Sequence, residues 1–85
     1  MNRKKDHDSY VKFLAVIDTI INNSDENNPI TIKEIQNLII QKGFDFKIDY
    51  RIVKKFVENY NYFYNNTVIR SCKIGRNNYF YNQNW

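Results

Sequence analysis

The chain has 85 residues with one cysteine and one histidine, and its 13 Lys and Arg against 9 Asp and Glu give a net charge of +4. This length allows one small domain, because a second hydrophobic core would need roughly another hundred residues. Cys72 has no partner for an internal disulfide, and one Cys with one His cannot supply the four ligands of a structural zinc ion. The composition therefore excludes a disulfide scaffold and a zinc finger.

The positive charge is concentrated in the second half of the chain. The first 42 residues hold six basic and six acidic residues, whereas the remainder hold seven basic and three acidic ones. Residues 59–85 contain three cations, no acid and eight of the fourteen aromatic residues. Basic residues interleaved with rings are typical of nucleic-acid-binding surfaces. An AT-rich genome and the need for core rings would produce the same composition, so both interpretations stay open.

No apolar run reaches the roughly 18 residues that a membrane span requires. The stretch from Val11 to Ile21 is interrupted by Lys12 and Asp18 and has no small-residue cleavage site, which argues against a signal peptide. We therefore expect a cytoplasmic protein with a reduced Cys72. Residues 1–8 are predicted to form a flexible charged leader, and residues 9–85 a single domain.

Apolar periodicity predicts a first helix that starts after a cap at Asp8 or Ser9 and ends in the polar segment Asn22-Asn23-Ser24. After a polar loop ending at Pro29, a second helix is predicted. Its apolar face is expected to comprise Ile32, Ile35, Leu38 and Ile39. The inward face of the first helix is expected to comprise Tyr10, Phe13, Leu14, Ile17, Ile20 and Ile21.

Both ends of the second helix are predicted from local signals. Thr31 and Glu34 have the spacing of a capping box, and Gly43 is placed to end the helix in a left-handed conformation. A third helix is predicted from a cap at Asp49 to Tyr60. Its inward residues are expected to be Val53, Phe56, Val57 and Tyr60, and its outward residues Arg51, Lys54, Lys55 and Glu58.

A β-hairpin is predicted after the helices. Residues 67–74 are rich in β-branched side chains, residues 75–78 are expected to form a four-residue loop, and Tyr79 begins the returning strand. Because side chains alternate along a strand, Phe80 is expected to be buried with Tyr79 and Tyr81 outside. At the end of the third helix Phe63 is expected in the core.

Three helices followed by a hairpin make a fold that is mainly α with a β-hairpin. From about Ser9 to Gln83 this order resembles the small winged helix-turn-helix family, which has three helices plus a two-stranded wing. The resemblance is one of pattern, without an invariant signature. It implies a recognition helix carrying Arg51, Lys54 and Lys55 and a wing tip carrying Arg76 and Asn77.

More narrowly, this pattern with many tyrosines is similar to the small single-stranded-DNA-binding proteins encoded beside a replicative helicase on staphylococcal cassette chromosome elements. That resemblance implies a role in the replication of a mobile genetic element, with a helicase or polymerase of the same element as a candidate partner. We expect a monomer or a weak homodimer.

Catalysis is not expected. His7 lies in the leader without a nucleophile to activate, and two glycines cannot build a phosphate-binding loop. Cys72 is a lone strand cysteine, which is usually a packing residue. We therefore predict a protein that is not an enzyme, with no cofactor and no metal.

Two modes of DNA binding are predicted, and the modest net charge favours the single-stranded mode, in which tyrosine rings stack on bases. In the duplex alternative the third helix enters the major groove and offers Arg51, Asn59 and Asn61 to base edges. A third alternative is a protein-interaction winged helix, because Ile20, Ile21 and Ile40 exceed the needs of a narrow core stripe.

The candidate DNA-binding residues are Tyr50, Arg51, Lys54, Lys55, Tyr62, Arg70, Lys73, Arg76, Asn77, Tyr79 and Tyr81. Trp85 is a further candidate ring.

Overall fold

A computed structural model describes residues 9–83, which form three helices and a three-stranded antiparallel sheet of order β1-β3-β2. The predicted leader and Trp85 lie outside the described residues. The elements are α1 (Ser9–Asn23), β1 (Ile30–Thr31), α2 (Ile32–Gln41), α3 (Tyr50–Tyr64), β2 (Ile69–Ile74) and β3 (Asn77–Asn82). None of the described helices has the length and apolar character needed to cross a membrane.

The expectation of two strands was wrong, because the segment before α2 adds a third. Ile30 pairs with Phe80 and Thr31 pairs with Tyr79. Two residues are too few to produce a period-2 signal, so this strand is defined by its partner and not by its own sequence. The architecture is therefore mixed α/β, with β3 in the centre of the sheet and β2 at one edge.

Both predicted ends of α2 are confirmed. The Thr31 hydroxyl accepts from the Glu34 N–H at 3.1 Å, and the Glu34 carboxylate accepts from the Thr31 N–H at 2.8 Å. At the other end Gly43 has φ of 98° and its N–H donates to the Ile40 carbonyl at 2.9 Å. A left-handed residue here is easiest for glycine, which has no Cβ to clash with the backbone.

The turn between α2 and α3 is held by one side chain. The Gln36 amide donates to the Phe46 carbonyl at 2.9 Å and its oxygen accepts from the Ile48 N–H at 2.9 Å. Both bonds join α2 to the segment that leads into α3. They therefore set the position at which α3 begins.

Helix α3 starts as predicted but ends one turn later. The Asp49 carboxylate accepts from the Ile52 N–H at 2.9 Å, which confirms the cap. The helix continues past Tyr60 to Tyr64 and ends at Asn65, whose φ of 52° is left-handed. Asparagine tolerates this conformation better than most residues, which explains the stop.

The core lies between the helices and the inner face of the sheet. On α1 the buried stripe runs through Val16, Ile17 and Ile20, with Phe13 partly buried beside it. The expectation for two α1 residues was wrong, since Tyr10 is 79% exposed and Leu14 is 61% exposed. These two positions lie at the outer edge of the stripe. The core cluster comprises Val16, Ile17, Ile20, Ile30, Ile35, Ile39, Val53, Val57, Ile69 and Phe80.

Ile20, Ile21 and Ile40 were predicted to exceed the needs of the core. This was wrong for Ile20, which is fully buried, and Ile21 packs against the core. Ile40 is exposed on α2. The inward face predicted for α3 is confirmed, because two of its residues lie in the core and the other two pack against it. On α2, Ile35 and Ile39 lie in the core and Ile32 packs against it, whereas Leu38 is only partly buried and lies outside the core cluster.

The predicted four-residue hairpin loop was wrong. Ile74 pairs with Asn77, so the connection is the two-residue turn Gly75-Arg76, and Asn78 belongs to β3. Gly75 has φ of 63°. Glycine at the first position of a two-residue hairpin turn is typical of a type II′ turn, whose twist matches that of the strands.

Phe80 fixes the sheet on the helices, as expected. Its side chain is 1% exposed and lies between its strand partners Ile30 and Ser71. The Asn82 N–H also donates to the Ser24 hydroxyl at 3.0 Å, which ties the end of β3 to the loop after α1.

We expect Phe80→Ala to lower the free energy of unfolding by about 3–5 kcal/mol, because it removes a buried ring and leaves a cavity. Phe63→Ala makes the same chemical change at an exposed position and should alter it by less than about 0.5 kcal/mol. Urea unfolding followed by circular dichroism measures both. Equal losses in the two variants would show that Phe80 does not anchor the sheet.

Candidate nucleic-acid interface

The outer face of the sheet gathers several predicted residues. Side chains alternate along a strand, and directly paired residues share a face. Since Phe80 points to the helices, Tyr79 and Tyr81 point away from them, together with their partners Cys72 and Arg70 on β2. We define the outer sheet face as Thr31, Arg70, Cys72, Ile74, Asn77, Tyr79 and Tyr81.

The two tyrosines of this face are less accessible than expected. Tyr79 and Tyr81 are each half-buried, whereas Arg70 is exposed. The Arg70 Nε donates to the Gln83 side-chain oxygen, which orients the guanidinium next to its strand partner Tyr81. That bond uses one of the five N–H donors of the guanidinium. The face thus combines two ring surfaces with one oriented cation.

Lys73 does not join the tyrosines. It pairs with Asn78 and lies on the same side of β2 as Ser71, which is the helix side of the sheet. The single surface predicted from the sequence is therefore divided, because the strand alternation sends Arg70 and Lys73 to opposite faces. Lys73 is exposed all the same, since it lies beyond the buried part of β2.

A groove runs between α3 and the free edge of β2. Its cations are Lys54 and Arg70, and its acid is Glu58, whose carboxylate lies 4.0 Å from the Lys54 Nζ. Both of these side chains are more than half exposed, so the ion pair is weak. The groove is lined by Lys54, Val57, Glu58, Asn61, Thr67, Ile69, Arg70, Ser71 and Phe80.

The exposed face of α3 carries charge at one end and rings at the other. Arg51, Lys55, Glu58 and Tyr62 recur at helical spacing and form one line on the side away from the core. The two cations occupy the first half of the helix. Tyr62 lies at the far end and is 87% exposed.

Phe63 was predicted in the core but is 77% exposed. The inward position at this end of α3 is taken by Tyr60, whose ring centroid lies 6.3 Å from that of Phe13 on α1. Because α3 runs one turn longer than predicted, residues 62–64 extend past the edge of the core. The Tyr60 and Tyr64 rings meet edge to face with centroids 4.9 Å apart. Burial and this contact with Tyr64 raise the pKa of the Tyr60 hydroxyl above its ordinary value.

Asn61 was a candidate for reading base edges, and the structure contradicts that role. Its side-chain oxygen accepts from the Val68 N–H at 2.9 Å and from the Ile69 N–H at 3.0 Å. Its amide nitrogen donates to the Ile69 carbonyl at 2.9 Å. A carboxamide engaged in this way holds β2 on α3, and its edge is not available to a base.

Three further predicted residues are Tyr50, Arg76 and Asn77. Tyr50 is 36% exposed, and its ring centroid lies 6.1 Å from that of Phe80. Arg76 and Asn77 are exposed at the hairpin turn. They border a groove of about 660 Å³ that also contains Lys33.

Sequence reasoning missed Lys33 because α2 gave no reason to place it near the hairpin. The groove beside the turn is lined by Thr31, Ile32, Lys33, Gln36, Ile48, Arg76, Asn77 and Asn78. Only the pairing of Thr31 with Tyr79 brings the start of α2 to this part of β3. A pairing between segments almost fifty residues apart leaves no local signal.

Within residues 9–83 no three His, Cys, Asp or Glu side chains are grouped so that they could hold a metal ion. Cys72 is a free thiol, half-buried on the outer sheet face.

The chain has no match among protein-family models, curated proteins or solved structures. Its function is therefore inferred from the geometry of these surfaces.

We expect Asn61→Ala to lower the free energy of unfolding by about 1–3 kcal/mol, because backbone groups of β2 lose their partners. Asn59→Ala removes the same group from an exposed position two residues away and should have almost no effect. Urea unfolding measures both. If the Asn61 variant is as stable as the wild type, the carboxamide does not hold β2 in place.

Proposed function

We propose that this protein is a non-catalytic winged-helix protein that binds single-stranded DNA. The observation that carries the proposal is the convergence of Tyr79, Tyr81 and Arg70 on one face of a three-stranded sheet. The sheet fixes the two rings relative to each other, and the arginine beside them can contact the backbone of a strand whose bases stack on the rings.

The spacing of the rings favours unpaired bases. Two residues along a β-strand are separated by about 7 Å, about twice the 3.4 Å rise per nucleotide of duplex DNA. Bases in a duplex are covered on both sides by their neighbours, so their faces are not open to a protein ring. Tyr79 and Tyr81 therefore suit an extended strand with separated bases.

The charges agree with this mode. Residues 59–83 contain no acid, so β2, β3 and the hairpin turn carry no negative side chain. The acid at the outer sheet face is Glu34, whose carboxylate is bonded to Thr31 at the β1 edge. Few cations contribute, and stacking must supply the rest of the affinity. Each stacked base contributes about 1–3 kcal/mol as judged by alanine substitution.

Binding to duplex DNA is the second candidate. Three helices with a small antiparallel sheet are compatible with a winged helix, and in that fold α3 would enter the major groove. Arg51 and Lys55 on the exposed face of α3 favour this mode. Two observations argue against the duplex mode. Glu58 places a negative charge on the same line of α3, and the Asn61 side chain is hydrogen-bonded to β2.

The biological setting is part of the proposal. The resemblance to single-stranded-DNA-binding proteins encoded beside a helicase supports a cytoplasmic role in the replication of a mobile element. A helicase or polymerase of that element is the expected protein partner.

We expect fluorescence anisotropy to show tighter binding to a labelled 30-nucleotide mixed-sequence single strand than to the corresponding duplex. Part of this affinity should remain at high salt, because stacking is not screened. A preference for the duplex would support the second candidate. Binding to neither would reject DNA as the ligand.

The stacking role is tested with the double variant Tyr79→Ala, Tyr81→Ala. Two lost stacking contacts should weaken single-strand binding by at least about 30-fold. Tyr10→Ala removes an equally large ring from α1 and should leave the affinity unchanged. A folded double variant with wild-type affinity would remove the outer sheet face from the interface.

The contribution of α3 is tested with Lys54→Ala, Lys55→Ala. If both cations contact phosphates, the slope of log K against log salt should fall by about 1.4 on a single strand and about 1.8 on a duplex. Lys42→Ala, Lys47→Ala removes the same charge from exposed positions at the end of α2 and in the following turn. The loss of slope should be absent in this control, and an equal change in both would indicate only a net-charge effect.

A further inference from the structure

We propose that the C-terminal end of α3 is a second base-stacking surface for the same DNA strand. We call it the α3 end surface, and it comprises the rings of Tyr62 and Phe63 with the carboxamides of Asn59, Asn65 and Asn66 around them. This inference rests on the proposed function and adds to it a second contact region and a minimum length of ligand.

The exposure of the two rings points to a ligand. Tyr62 is 87% exposed and Phe63 is 77% exposed, and the next residue of the helix, Tyr64, is 53% exposed. A group of exposed rings on a small protein usually marks a binding surface. Sequence patterning alone places Phe63 in the core, but its ring points outward and is exposed to solvent.

Phe63 is held in a defined orientation before any ligand arrives. Its ring meets that of Tyr64 edge to face, with centroids 5.0 Å apart. Tyr64 in turn meets Tyr60, which packs on Phe13 at the edge of the core. This chain of contacts reduces the conformational freedom that Phe63 would lose on binding.

The chemistry around the rings favours a nucleobase over an apolar protein segment. The rim of the α3 end surface contains three exposed asparagines, and the nearest charge along α3 is the exposed Glu58, four residues before Tyr62. An apolar partner would bury these carboxamides without hydrogen-bond partners, which is costly. A base offers a flat face for stacking and an edge of donors and acceptors that an asparagine can match.

Positive charge leads towards this surface along α3. Arg51, Lys55 and Glu58 lie on the same line of the helix as Tyr62, and the eleven residue steps from Arg51 to Tyr62 span about 17 Å. Lys54 lies 4.0 Å from the Glu58 carboxylate, so this part of α3 carries three cations and one acid. Phosphates of a strand whose bases reach Tyr62 can contact these cations, and the excess of positive charge selects a polyanion as the occupant.

The two ring surfaces are neighbours because of the Asn61 tether. Asn61 bonds to the backbone of Ile69, which places Tyr62 and Arg70 on adjoining segments. β2 is an edge strand, and the groove between its free edge and α3 connects the two sides. A single strand can thus pass from Tyr79 and Tyr81 across this edge to Tyr62.

The size of the protein sets the length of strand needed. The longest dimension of the described residues is 41 Å. Twelve nucleotides span about 37 Å at the 3.4 Å spacing of a duplex strand, and a strand that is more extended than this covers the whole distance. A strand of four nucleotides supplies bases for the two rings of one surface, and it has no nucleotides left for the path around the edge of β2 and the two rings of the other.

The test is the stoichiometry and affinity of oligodeoxythymidines of four and twelve nucleotides, measured by isothermal titration calorimetry. The wild type should bind two tetramers per protein but one dodecamer, and the dodecamer should bind more tightly because its second contact is intramolecular. Tyr62→Ala, Phe63→Ala should bind one tetramer. It should also lose at least about 30-fold in dodecamer affinity, the loss expected for two stacked bases.

Two controls accompany this variant. Tyr10→Ala, Leu14→Ala removes two exposed apolar side chains from α1 and should keep both tetramer sites. Tyr79→Ala, Tyr81→Ala should retain the α3 end surface and bind one tetramer there. Urea unfolding should give the wild-type midpoint for the Tyr62, Phe63 variant, because both side chains are exposed.

The contradictory outcomes are distinct. One tetramer per wild-type protein, with the Tyr62, Phe63 variant unchanged, would reject the α3 end surface and leave the proposed function intact. If that variant instead abolished concentration-dependent self-association in sedimentation without changing DNA binding, the surface would be a protein interface. If the wild type bound neither strand, both proposals would fall.

Discussion

The arrangement of this molecule depends on the burial of Phe80. Its ring lies on the central strand of the sheet, between Ile30 on one neighbour and Ser71 on the other, and it closes the core against the helices. Because side chains alternate along a strand, fixing Phe80 inward also fixes Tyr79 and Tyr81 outward. A hairpin of two strands would be marginal in isolation. The packing of Phe80 on the helices and the pairing of β1 with β3 therefore stabilise the sheet and determine which of its faces is turned to solvent.

The second constraint is the carboxamide of Asn61, which joins α3 to the start of β2 through three hydrogen bonds. It decides that the end of α3 and the open edge of the sheet lie side by side. The net charge of +4 is small for a protein that would bind DNA by charge alone. In the proposed mode of binding, rings on two surfaces compensate for this small charge, since stacking is less sensitive to salt than phosphate contacts are.

Features that depend on residues close together in the sequence could be predicted, whereas features that depend on residues far apart could not. The ends of α2 could be predicted because Thr31 and Glu34 are three residues apart and Gly43 adopts its conformation locally. The inward direction of Phe80 followed from alternation within one strand. β1 could not be predicted, because two residues carry no period and the pairing of Ile30 with Phe80 spans fifty positions. Phe63 was misplaced because α3 continues for four residues past Tyr60, and Phe63 lies in this last turn with an exposed side chain.

The sequence by itself determined the three helices, the caps of α2 and α3, the hairpin and the residue types available for binding, since these follow from local propensity and periodicity. Tertiary structure alone decided how those residues are grouped. It sent Arg70 and Lys73 to opposite sides of the sheet, turned Asn61 into a structural tether and left Tyr62 and Phe63 uncovered. The reason is that a shared surface is made by side chains from distant segments, and the distances between them are set by packing of the core and not by their order in the chain.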